Sequence, residues 1–284
     1  MFVKPVKSYF SIFANQVNNN GELIRVVKSC LPSAAYLAPL NWFLAHYSSF
    51  ELTADYLLAE SLLHGDQITL EGYDFNDKVE IIGIVDSIMY PGTISFERFD
   101  YPSKLSTTVQ DAMISIANDY IKGIKLNNTL FNIEMMYNPK TNEIHIIEVN
   151  PRMSSQFADL FEKVDGINTY QILLDIALGV KPKFMQKQGK YKTAASFVLR
   201  RFENNQVIKT PTIEQITQVS EKFPDSRIEL FAIEGQDLCA FKQDGKSFRY
   251  GLIHLGAQNK QELFQKFEQC KQNLPIQFNE PPCN

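Results

Sequence analysis

Apolar and polar residues alternate along two neighbouring stretches, 131–137 and 143–149, and this period of two predicts a pair of β-strands. Between them Asn138-Pro139-Lys140-Thr141-Asn142 is turn chemistry, so the pair reads as a hairpin. Side chains alternate faces along a strand, so Glu134 shares a face with Asn132 and Met136, and Glu148 with Ile146 and Asn150. With Pro139 opposite Glu143, counting back along both strands sets Glu134 directly across from Glu148. Like charges facing each other across a ladder repel. Either both carboxylates are solvated on an open face, or a cation lies between them.

The same patterning organises the rest of the chain. Residues 1–6 read as a strand, 22–30 as a short amphipathic helix after the Asn19-Asn20-Gly21 turn, and 56–63 as part of a further strand. Residues 67–73 and 79–88 are strands about an Asn76-Asp77 turn, and with the hairpin they predict a mostly antiparallel sheet. Residues 96–102 read as a loop. Val109, Met113, Ile116 and Tyr120 recur at helical spacing within a helix over 106–122, expected to pack under the sheet. Ser154-Ser155-Gln156 reads as a polar turn, and 168–179 as a helix ending at Gly179. A basic linker over 181–191 then leads into what looks like a separate α+β unit. Its strands are expected at 194–202, 228–234, 238–243 and 248–255, and its helices at 213–222 and 260–274. His254, in an apolar strand, reads as a satisfied core histidine. The aromatic connector 31–53 holds the single tryptophan, Trp42, and local packing accounts for it more simply than a partner surface.

Composition narrows the picture by exclusion. The 284 residues suffice for two domains, and 44% hydrophobic with 21% charged residues is ordinary for a globular protein. A net charge of −4 is too mild to indicate nucleic acid or an anionic membrane. Cys30, Cys239, Cys270 and Cys283 are scattered without C-x-x-C spacing, which points to free thiols in a reducing compartment, hence a cytoplasmic location. Lys4 and Lys7 interrupt the apolar start before any signal-peptide core, and prolines, Asn41 and His46 make 31–50 a poor membrane span.

The candidate chemistry lies at the end of the hairpin. Two carboxylates and the amide oxygen of Asn150 are hard oxygen donors that suit Mg²⁺. Pro151 gives a stiff exit and Arg152 a guanidinium suited to a phosphate or carboxylate oxyanion. Metal, polyphosphate and a fixed cation are the parts phosphoryl transfer needs.

Glu134 on one strand followed by Glu148-Val149-Asn150-Pro151-Arg152 on the next resembles the metal-binding signature of the ATP-grasp superfamily, which includes biotin carboxylase, carbamoyl phosphate synthetase, D-alanine–D-alanine ligase and the L-amino acid ligases. The resemblance implies an α+β ATP-grasp fold of two lobes with a metal-binding hairpin in an antiparallel sheet, plus a small C-terminal α+β domain. It divides the chain into 1–66, the remainder of the N-terminal lobe; 67–185, the C-terminal lobe with the metal site; and 191–284. It implies that a family-typical N-terminal portion is absent from this sequence. By position, Lys4 would reach the nucleotide phosphates, the backbone of Glu60 and Leu63 would read adenine, and Gln67 would hold the ribose hydroxyls. Glu134, Glu148 and Asn150 would ligate Mg²⁺, with Mn²⁺ as a substitute, and Arg152 would be catalytic. Where the family has a glycine-rich phosphate loop, residues 7–17 have no glycine; Ser8 and Ser11 are the available donors. Glu97 and Arg98 lie where related ligases approach substrate, and Arg200 or Arg201 could clamp a carboxylate, though surface charges explain all four as well. The implied activity is Mg²⁺-dependent, ATP-driven activation of a small carboxylate for attack by an amine or similar nucleophile. The alternative is a protein that binds nucleotide or a partner without turnover.

Overall fold

The computed structural model describes all residues except 7–12, 31–33, 50, 52, 54–55, 242–246 and 280–284. The chain folds as two units, the first comprising Met1–Leu63, Arg201–Asn204 and Asp237–Phe248. In it, strands β1 (Phe2–Pro5), β2 (Asn15–Gln16) and β3 (Leu57–Glu60) form an antiparallel sheet in the order β2-β1-β3. Helices α1 (Asn20–Cys30) and α2 (Ala34–Tyr47) lie between β2 and β3 in the chain. The aromatic connector is therefore largely helical, with Pro39 inside it and Trp42 55% exposed rather than packed away. The expected strand over 238–243 is instead a 3₁₀ turn, Leu238–Phe241, which runs into residues outside the described set.

The second unit is built on one eight-stranded sheet. Its first strands are β4 (Asp66–Phe75), β5 (Lys78–Met89) and β6 (Phe96–Tyr101), followed by α3 (Thr107–Gly123), then β7 (Thr129–Asn138) and β8 (Glu143–Asn150). Helices α4 (Ser155–Asp165) and α5 (Thr169–Ala177) come next, then β9 (Thr193–Arg201), β10 (Val207–Lys209), α6 (Ile213–Lys222) and β11 (Arg227–Leu230). The chain closes with β12 (Phe248–Ala257), α7 (Lys260–Asn273) and β13 (Gln277–Phe278). The sheet order is β11-β12-β9-β6-β5-β4-β7-β8, and β10 pairs with β13 apart from it.

Three readings change here. Residues 96–102, expected as a loop, form β6, because Phe99 and Tyr101 alternate into the core while Arg98 and Asp100 pair with each other at 3.0 Å. The region expected as a separate C-terminal unit contributes β9, β11 and β12 to the same sheet, joined through β6 and β9 from Arg98↔Phe197 to Tyr101↔Ala194. The polar turn expected at 154–156 opens α4, whose Phe157, Leu160, Phe161 and Val164 form a buried stripe at helical spacing.

Both faces of the sheet are covered. Ile68, Leu70, Ile84, Ile133 and Met135 pack with Met113, Ala117 and Ile121 of α3. On the same face, Phe197, Leu199, Ile253 and Leu255 form a core with α6 and α7. The alternate residues, among them Val85, Phe99, Tyr101 and Val198, pack against α4 and α5. Gly83 allows α4 to approach: a Cβ there would lie 2.5 Å from the Phe161 ring and 2.8 Å from that of Tyr101. At the start of β4, Gly65 has φ +140°, and a Cβ would meet the Tyr137 carbonyl oxygen at 2.0 Å.

Candidate active site

β7 and β8 pair as Asn132↔Asn150, Ile133↔Val149 and Glu134↔Glu148. Beyond Glu134 the register shifts by one residue, so the turn closes with Asn138, not Pro139, opposite Glu143. A bulge absorbs the difference and keeps the two glutamates opposed. The turn itself is held by Asn142 N–H to the Asn138 carbonyl at 2.8 Å, with Asn142 at φ 57°.

On the other side β7 pairs with β4 as Thr69↔Glu134 and Glu71↔Asn132. Two polar rows therefore cross three strands on the face that packs on α4 and α5: Thr69, Glu134, Glu148, and beside it Glu71, Asn132, Asn150. Glu134 Oε2 accepts Gln67 Nε2 at 2.8 Å, and Glu148 Oε1 accepts Asn150 Nδ2 at 2.9 Å. Glu148 is exposed and Glu134 half-buried.

Glu71, which sequence reasoning did not single out, has no exposed surface. Its two oxygens accept Asn132 Nδ2 at 2.8 Å and the Ser154 backbone N–H at 2.6 Å, which ties the start of α4 to the sheet. Burial pushes its carboxyl up to about 8, against the opposing pull of those two bonds and the Arg152 charge. The signal was present: Gln67, Thr69 and Glu71 are polar at every second position, alternating with Ile68 and Leu70.

In the first unit, Lys4 Nζ forms an ion pair with Glu60 Oε2 at 2.8 Å. Among the described residues β3 is an edge strand of its sheet. Leu63 lies half-buried in the coil after it. Arg152 is exposed at the exit of β8, and its Nη1 donates to the Met153 carbonyl at 3.3 Å. Arg98 is held by Glu97 and Asp100, and Arg200 Nε donates to the Phe96 carbonyl at 3.1 Å. His254 is a core residue, but not a satisfied one: neither ring nitrogen has a hydrogen-bond partner among the described residues. Ser8 and Ser11 lie outside the described residues. A surface hollow of about 340 Å³, lined by residues such as Lys163, Lys190, Asp225 and Arg227, contains none of these candidates.

The polar rows suit a hard cation. Two opposed carboxylates would repel with nothing between them. The Asn150 amide, whose orientation follows from its hydrogen bond, presents its oxygen when turned over. Among the described residues no cluster of three or more His, Cys, Asp or Glu is assembled to hold a metal. Two carboxylates and an amide would leave the rest of a hard cation's coordination to water and a ligand's oxygens.

A profile of the ATP-grasp domain matches residues 1–160, more than half of the sequence. The chain belongs to the ATP-grasp family. The match takes in β1, β3, the polar rows and the Ser154 end of α4. The carbamoyl phosphate synthase large chain of Micrococcus luteus is 26% identical over 148 residues, 51% of this chain and 13% of that protein. Among solved structures, the L-amino acid ligase of Bacillus licheniformis superposes with a TM-score of 0.73 at 17% identity, covering 98% of this chain and 64% of that one. The biotin carboxylase domain of Hydrogenobacter thermophilus 2-oxoglutarate carboxylase, solved with MgADP, ADP and bicarbonate, gives 0.68 at 13% identity, covering 98% and 57%. Biotin carboxylase from Campylobacter jejuni, solved as a β,γ-ATP complex, gives 0.65 at 14%, covering 98% and 58%. The ATP-grasp fold is thus common to all of them, and this chain spans less than two thirds of the length of each.

Proposed function

We propose that this ATP-grasp chain is the nucleotide- and metal-binding part of a ligase that activates a small carboxylate as an acylphosphate for attack by an amine or similar nucleophile. The observation that carries the reading is the direct opposition of Glu134 and Glu148, with Asn150 beside them, in a chain of this family. Glu134, Glu148 and Asn150 hold Mg²⁺, for which Mn²⁺ can substitute. When bound, the cation offsets the charge on the β- and γ-phosphate oxygens. The outer edge of β3 at Glu60, with Leu63 after it, reads the adenine. The amide atoms of Gln67 not engaged by Glu134 reach the ribose, and Lys4 reaches the phosphates by exchanging its Glu60 partner for them.

A substrate carboxylate oxygen attacks the γ-phosphorus, the bond to the β–γ bridging oxygen breaks, and ADP leaves. The nucleophile then attacks the acyl carbon, expels phosphate and loses a proton when it is an amine. Arg152 faces the charge that develops in both steps. Positioning carries most of the work, so no side-chain nucleophile takes part.

The other reading is nucleotide binding without turnover. Titration of the full chain with MgATP, followed by a phosphate-release assay over a panel of carboxylic and amino acids, separates the two. Release that needs both ATP and an acid, and vanishes in Glu148→Ala, is the expected result. Nucleotide binding with no release under any acid would overturn the ligase assignment.

A further inference from the structure

We propose that Gln67 is a positioning residue for the cation site: it fixes the carboxylate of Glu134 and thereby sets the divalent-cation affinity of the chain. The inference rests on the cation site proposed above. The residue directly opposite Glu134 on β4 is Thr69, but Thr69 is buried and its hydroxyl lies 3.1 Å from that of Ser87 on β5. Gln67, two residues further along and opposite Met136, is the longer side chain, and it crosses the ladder diagonally to place Nε2 2.8 Å from Glu134 Oε2. This is an anchored contact, because Gln67 sits on a ten-residue strand paired on both sides, with β5 and with β7.

The chemistry of the amide matters as much as its reach. An N–H donor occupies one oxygen of Glu134 and turns the carboxylate plane without adding charge. A carboxylate at position 67 would place a third negative group against the opposed pair and would have no N–H to donate to it. A methyl-bearing side chain there would take that hydrogen bond away from Glu134. Groups that orient a ligating carboxylate change metal affinity by roughly 10- to 100-fold when they are removed. Gln67 therefore belongs to the metal side of the site as well as to the nucleotide side.

The test uses the full chain and Mn²⁺ alone, followed by electron paramagnetic resonance or calorimetry, with circular dichroism as the check of folding. Gln67→Leu is expected to weaken Mn²⁺ by about 10-fold or more. Gln67→Met, which keeps the length of the side chain without an N–H donor, is expected to weaken Mn²⁺ to the same extent. A second readout compares ATP with 2′-deoxy-ATP in the presence of Mn²⁺. Unchanged Mn²⁺ affinity in Gln67→Leu, with only the discrimination between the two nucleotides lost, would make Gln67 a ribose contact and overturn the positioning role. If Gln67→Leu does not fold, Gln67→Met decides alone, and wild-type Mn²⁺ affinity in that variant overturns the proposal. Absence of Mn²⁺ binding in the wild type would remove the cation site itself, and this inference with it.

Discussion

Replacing Glu71 by Gln tests the burial argument without reference to function. Glu71 is fully buried, and its carboxyl is raised from 4.5 to about 8. Burial disfavours the charged form, and the bonds from Asn132 and Ser154 with the Arg152 charge only partly compensate. The folded chain therefore binds a proton at Glu71 that the unfolded chain has released, at every pH between these two values. Stability rises with pH only where the unfolded state binds more protons. Here the folded state binds more, so this group lowers stability as pH climbs from 4.5 towards 8. The slope is at most about 1.4 kcal/mol per pH unit, and the whole window amounts to at most roughly 5 kcal/mol. Glu71→Gln is a neutral isostere of the protonated acid, and Asn132 can turn its amide to present oxygen to the new NH₂. Urea denaturation of both proteins at intervals from pH 5 to pH 8.5, read at constant m-value, gives the difference directly. The variant is expected to match the wild type near pH 5 and to gain on it steadily above. Parallel stability curves across the range would refute the claim that Glu71 is held protonated in the fold.

Three further predictions concern the scaffold. Gly65→Ala places a Cβ at φ +140° against the Tyr137 carbonyl, so the start of β4 must shift; a loss of at least roughly 2 kcal/mol in urea denaturation is expected, and wild-type stability would contradict it. Tyr101→Phe removes the hydroxyl that donates to buried Asp165 and leaves that carboxylate the Lys187 N–H at 2.7 Å; a loss of about 1–3 kcal/mol is expected by the same measurement. His254 is held below its usual 6.5, first by burial and then by the nearby Arg227 and Lys163 charges, with Asp159 and Glu229 opposing. The unfolded chain thus takes up the proton first as pH falls below 6.5, and stability is lost in that direction. His254→Leu is expected to flatten the acid side of the stability profile, and an unchanged profile would sink the argument.

The hairpin shows how far local pattern reaches. Its strands and its turn follow from period-two alternation and the residues of the turn, but the opposition of Glu134 and Glu148 does not: with Asn138 opposite Glu143, counting back without a bulge would set Glu134 against Ile147. The bulge secures it: Ile147 is the extra residue, so Ile144 and Ile146 pack on the same core as Val149, away from Glu148, and the adjacent apolar pair Ile146-Ile147 that breaks the alternation of β8 is its mark in the sequence. The same limit explains α4. Its stripe of Phe157, Leu160, Phe161 and Val164 is a helical pattern in the sequence, but the serines at its start also read as turn residues.

By itself, then, the sequence determined the elements whose signals are local: the two strands and turn of the hairpin, the Asn150-Pro151-Arg152 exit, the helices α3, α6 and α7, and enough of a signature to mark the superfamily. The tertiary structure decided what depends on partners distant in the chain. Residues 96–101 became a strand because β5 lies on one side and β9, about a hundred residues away, on the other. The C-terminal strands joined the main sheet through that same β9 edge. Glu71 became a buried acid, and Gln67 a support for Glu134, only once β4 had paired with β7 across some sixty residues of chain. Side-chain periodicity reports which face a residue takes, while hydrogen bonding between distant strands decides what that face meets.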